Sequence, residues 1–149
     1  MKRKLSKLII SVIVLFVGVQ FIRPNKQENQ PINRYDIIYA NTPPKAVASL
    51  LQTTCYDCHS NQTQQYWYSH IAPAAWLVDK DIKNGRAHLN FSDWEKYSYD
   101  QKIDYAGEIM FQMYEGKMPI QEYLWMHEEA KLSKKQQNQI TEWINALVE

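Results

Sequence analysis

The chain has 149 residues, room for one small domain and an appendage. Its formal charge of +1 conceals two unlike parts: the first 26 residues hold six Lys or Arg and no acid, whereas residues 31–149 hold eleven basic and fifteen acidic side chains. A body with this balance has no clustered positive charge for phosphates, which excludes nucleic acid as a partner.

In chain order, the basic head Met1-Lys2-Arg3-Lys4-Leu5-Ser6-Lys7 precedes a run without charge, Leu8 to Ile22. As helix that run reaches roughly 22 Å; begun at Leu5, with Lys7 snorkelling to the interface, it reaches about 27 Å, near the ~30 Å of a bilayer core. More positive charge precedes the run than follows it at Arg23 and Lys26, and no small-residue cleavage site follows. The pattern predicts an uncleaved signal anchor over residues 1–23, a single pass of the inner membrane with the remainder in the periplasm. Residues 24–41 read as a tether: Pro24 to Pro31 is polar and flexible, and Ile32 to Tyr39 is apolar without helical period, an extended wrapping segment.

Residues 42–149 predict an all-α domain. Thr42 can cap a helix with Pro43 in its first turn and Val47, Leu50 and Leu51 on one face. A second helix is expected over about 74–84, from Pro73 to a stop at Gly85. Ser92 and Glu95 form a capping-box pattern, and Asp100 can cap the next helix. That helix carries the stripe Ile103, Ala106, Gly107, Met110, Met113 and Tyr114 up to Gly116. The last helix opens with the box Ser133 and Gln136 and buries Ile140, Trp143, Ile144 and Leu147.

The only two cysteines stand in Cys55-Tyr56-Asp57-Cys58-His59. Cys-x-x-Cys-His is the attachment sequence of c-type haem. Two thiols on one turn reach the two vinyl groups of a porphyrin as thioethers, and the following imidazole lies beneath the iron as proximal ligand. A sixth ligand is sought among the methionines. Met110 and Met113 belong to the apolar stripe and read as core. Met118 sits between Gly116 and Pro119, in a backbone the proline extends, and is the candidate distal ligand. Met126 and His127 are the alternatives. His70 and His88 read as surface or hydrogen-bonding residues rather than iron ligands. A carbonyl of Ile71-Ala72-Pro73 is the candidate acceptor for the second nitrogen of His59. Arg86 can pair with a haem propionate, and Tyr66, Trp67, Tyr68 and Trp76 can cover a flat cofactor.

These residues resemble the haem-binding domain family of bacterial membrane-anchored or exported proteins. The matching pieces are CYDCHSN at 55–61, YSHIAPAAWLVDKDIKNGRAHLNFSDW at 68–94, GKMP at 116–119 and YLWMHEEAKLS at 123–133. The family is itself similar to small class I cytochromes c, whose first and last helices cross beside the haem and whose distal methionine precedes a proline. The resemblance implies one covalent haem c on Cys55 and Cys58 with His59 on its iron. One departure is Tyr66, where proline is expected before the tryptophan.

The expected function is single-electron transfer by a His/Met-ligated monohaem cytochrome, not an enzyme, with redox proteins of the periplasm as partners and no small-molecule substrate. The alternative is a haem enzyme or gas sensor with a labile or absent sixth ligand. A dithiol redox site needs a βαβ setting and zinc needs a second ligand pair; the chain offers neither pattern.

Overall fold

The computed structural model describes residues 2–149; Met1, the first residue of the expected anchor, lies outside them. Among the described residues all regular structure is helical and no strand forms. The chain is all-α.

The N-terminal helix, α1, spans Lys2–Val19. It corrects the expected anchor and, with it, the inner-membrane placement: among the described residues no helix is long and apolar enough to cross a membrane. The reason lies at both ends of the helix. Lys2, Arg3, Lys4 and Lys7 occupy its first turns, and the chain leaves helix after Val19, before the apolar run ends. The uncharged helical part, Leu8 to Val19, spans roughly 18 Å against ~30 Å of hydrocarbon.

The expected tether is also corrected, because it lies along the domain. Asn29 Nδ2 donates to the Thr63 carbonyl at 2.8 Å and the Gln30 amide to the Asn61 carbonyl at 3.1 Å. The wrapping segment then forms a short helix, α2 (Ile37–Asn41), capped by Asp36, whose Oδ1 accepts from the Ile38 and Tyr39 amides. Thr42 does not cap a following helix. It adopts a left-handed conformation (φ 40°) that ends α2, and α3 (Lys45–Thr54) starts after Pro44.

α4 (Tyr56–His59) is one turn carrying most of the attachment sequence. α5 (Ala74–His88) runs beyond the expected stop at Gly85, which is buried inside it. The Ser92 pattern is a 3₁₀ turn, Phe91–Lys96, capped by Asn90 instead. α6 (Tyr99–Tyr114) opens with the reciprocal box Ser98 and Gln101 rather than at Asp100, and Gly116 (φ 66°) lets the chain turn away. α7 (Gln121–Leu124) follows, and α8 (Lys134–Val148) begins with the Ser133/Gln136 box as read from sequence.

The core forms where α8 packs against both α3 and α6. Val47 and Leu51 of α3 share one buried cluster with Ala106 and Met113 of α6 and with Ile140 and Ile144 of α8, the last two fully buried. Each such aliphatic contributes about 1.5–3 kcal/mol by leaving water. α3 and α8 thus pair in the core, and α4, which follows α3, packs against α5.

Candidate functional site

Asp36 lies beneath α4 and is 2% exposed. Besides capping α2, it accepts from the Tyr56 hydroxyl at 2.9 Å and from Ser92 Oγ at 3.4 Å. Four donors satisfy a carboxylate that would otherwise be costly to bury. They also tie α2, α4 and the 91–96 turn to one point. Ser92 Oγ in turn accepts from the Asn61 amide at 3.0 Å, and Asn90 Nδ2 donates to Asn61 Oδ1 at 3.0 Å. The attachment turn is therefore held from below and from its C-terminal side.

Gly85 sets the other distance. A Cβ there would stand 2.4 Å from the Cys58 carbonyl oxygen and 2.9 Å from its carbon, so α5 reaches α4 only because this residue has no side chain. The close approach brings the end of α5 beside His59. Its Nδ1 lies 3.1 Å from the Leu89 carbonyl oxygen, which can only accept. Nδ1 therefore carries the proton and Nε2 is left with its lone pair free, the tautomer an iron ligand requires. Burial lowers the pKa of His59, which favours this neutral form. The acceptor is thus Leu89, not the expected 71–73 segment.

Two adjoining hollows open above this turn, with about 640 and 840 Å³ of free space including their mouths. Cys55, His59 and Met118 line both, and Cys58 lines the second. The first has apolar walls from Leu89, Phe91, Ile109, Met113 and Leu132. At the mouth His88 Nε2 meets Glu108 Oε2 at 2.9 Å, joining α5 to α6. Burial pushes the Cys55 thiol up to about 11 and the Cys58 thiol up to about 12; the Thr54 hydroxyl, 3.1 Å from the Cys55 sulfur, works weakly against this. Both are thiols near neutrality, which disfavours dithiol exchange, a reaction that needs thiolate. Among the described residues, no three His, Cys, Asp or Glu side chains gather as a metal-binding set.

The residues fit a haem. Two thiols and one imidazole nitrogen converge on a hollow of ligand size with largely apolar walls, and a thioether lines the same space. The model for the haem-binding domain matches residues 14–146, most of the chain. The chain belongs to the haem-binding domain family. No curated protein and no solved structure matches it.

The other residues singled out from sequence divide clearly. Arg86 does not line either hollow. Its guanidinium donates to the Ser60 carbonyl at 2.7 Å, to Thr63 Oγ1 at 2.9 Å and to the Glu28 carbonyl at 3.3 Å, closing the loop after α4 instead of facing a propionate. Both nitrogens of His127 are taken, one by the Tyr68 hydroxyl and the other by Glu129 at 3.0 Å. Met126 is half exposed and lines a separate hollow beyond Cys58, as do Tyr66 and Tyr68. Trp67 and Trp76 are partly or largely exposed, so the expected aromatic cover does not form over the attachment turn. Met113 lines the first hollow while belonging to the core. His88 is the exposed, hydrogen-bonded residue expected, whereas Asp36, Leu89 and Tyr123 were not anticipated. Only Asp36, a cap residue before an apolar pair, carried a sequence signal.

Proposed function

We propose that the protein is a monohaem c-type cytochrome that carries single electrons. The reading is supported by one arrangement above all: Met118 faces the same two hollows as Cys55 and His59, so one cofactor can be held from both sides. Cys55 and Cys58 would carry it as thioethers, His59 Nε2 would bind the iron, and Met118 Sδ would bind opposite. The iron of such a haem supplies a one-electron couple, raised by thioether ligation relative to a bis-histidine site. The Leu89 carbonyl holds the imidazole in register, and the walls from Phe91, Ile109 and Leu132 keep water from the ring. With His59 and Met118 both holding the iron there would be no place for a substrate, and the partner would be another redox protein. The acidic body favours a partner with a basic docking face.

The test is spectroscopic. Haem that resists acid-acetone extraction and gives a c-type pyridine haemochrome supports the attachment; extractable or absent haem overturns it. Met118→Ala is expected to abolish the weak red charge-transfer band of the oxidised protein, and a surviving band overturns the ligand. A second reading has its own support: Met118 is 39% exposed, which suits a displaceable ligand and a gas-binding site. Rapid, complete binding of carbon monoxide by the reduced protein would favour that reading over the electron carrier.

A further inference from the structure

The segment that carries Met118 has two tie points. At its start the Lys117 and Met118 amides donate to the Gln112 carbonyl, at 2.9 and 3.2 Å, so the chain leaves α6 under control. At its end α7 is a single turn with no buried residue and no side-chain cap. A helix this short has no stability of its own. What attaches it to the proximal side is Tyr123. Its hydroxyl lies 2.8 Å from Asp57 Oδ2, inside the attachment sequence, and 3.3 Å from the Thr53 carbonyl at the end of α3.

Asp57 is itself fixed. Its Oδ1 accepts from the Gln64 amide at 2.8 Å, and its carbonyl accepts from Thr63 Oγ1 at 2.6 Å. The Tyr123 ring is steadied by stacking on His127, with centroids 4.3 Å apart and planes at 22°. Tyr123 lines the second hollow together with Met118, Cys55 and Cys58.

We infer that the hydrogen bond from Tyr123 to Asp57 is a latch that holds the Met118 segment closed over the haem, making Tyr123 a positioning residue for the distal ligand. It rests on the ligation read above. Asp57 stands between the two cysteines, so the bond ties the distal segment directly to the turn that carries the proximal imidazole. The Met118 segment is then held to that turn chiefly through this side-chain contact. Opening it frees α7 and lets Met118 withdraw while the haem stays on its cysteines.

The experiment follows imidazole displacing the sixth ligand in the oxidised holoprotein, read as loss of the red charge-transfer band. Tyr123→Phe keeps the ring and its stacking and removes only the hydroxyl; the displacement rate is expected to rise about tenfold, the worth of one charge-assisted hydrogen bond. Asp57→Ala removes this bond together with the contact to the Gln64 amide and should give at least as large a rise, while the double variant should not exceed Asp57→Ala, because the shared bond is already gone there. Asp57→Asn retains an acceptor oxygen and should stay within about threefold of the parent. A parental rate in Tyr123→Phe, or additive effects in the double variant, overturns the latch. Should the parent protein lack the band, the ligation itself fails, and the latch is then judged by amide hydrogen exchange over residues 117–127. Faster exchange in Tyr123→Phe upholds it, and unchanged exchange overturns it.

Discussion

The two walls of the cofactor hollow are built in opposite ways. The proximal wall, α4 with the segments around it, rests on buried polar groups that are all partnered: Asp36, Ser60, Asn61, Asn90 and Ser92 are each under about a tenth exposed and bonded to one another or to nearby backbone. The distal wall, from Gly116 to Trp125, contains no buried residue and is held by backbone turns and Tyr123. Low-dielectric polar networks fix geometry tightly, whereas lightly buried segments open at little cost. One side of the site is a fixed anvil, and the other can move.

The contrast can be broken first at Gly85. Gly85→Ala drives a methyl into the Cys58 carbonyl, so α5 must retreat from α4. A loss of about 3 kcal/mol in denaturant unfolding of the haem-loaded protein is expected, at the upper end for overpacking. A loss below about 0.5 kcal/mol would show that the proximal wall yields as readily as the distal one. Arg86→Gln comes next. It strands the Ser60 carbonyl and Thr63, and about 2 kcal/mol of stability should go while the haem spectrum stays unchanged. An altered spectrum with unaltered stability would restore the propionate role. Met118→Ala sharpens the contrast from the other wall: its half-exposed side chain should cost less than about 1 kcal/mol of stability in haem-free protein, although it removes the proposed distal ligand.

The smallest effect concerns the thiols of haem-free protein. Burial raises both above the ordinary value of 9.0, so they are protonated where exposed thiols have begun to ionise. At pH 9 a thiol at about 11 is thiolate in only about one molecule in a hundred. Iodoacetamide labelling of the folded chain should stay slow at that pH and accelerate only toward pH 11, while the denatured chain reacts at once. Fast labelling at pH 9 would place the cysteines in a looser wall than the one described.

Helical character was legible because it rests on local patterns. Ser133 and Gln136 close a reciprocal cap whatever lies around them, and the 3.6-residue spacing of Ile140 and Ile144 finds the core. The sequence Cys55 to His59 was legible as a haem site, which the family match supports, since thiol, thiol and imidazole in fixed order serve few other ends. What escaped was decided by contacts across the chain. Gly85 carries the local signature of a helix stop, yet its lack of a side chain serves a neighbouring backbone. Leu89 acts through its carbonyl, an atom every residue has, so no side-chain pattern could announce it. Arg86 has a fork suited to a carboxylate, but backbone carbonyls lay nearer. The apolar run after Lys7 was read from its length and flanking charge, while the helix ends after Val19, next to Gln20, whose side-chain amide exchanges two hydrogen bonds with the Ala72 backbone.

The bond between His59 and Leu89 joins residues thirty positions apart, and Asp36 meets Ser92 across a still longer interval. Seen along the course of biosynthesis, the chain presents both thiols long before the residues that orient the imidazole have been made. A nascent polypeptide ending anywhere before residue 89 offers sulfur without direction. The tautomer and direction of the imidazole are consequently fixed only once residue 89 has been made and folded back onto it.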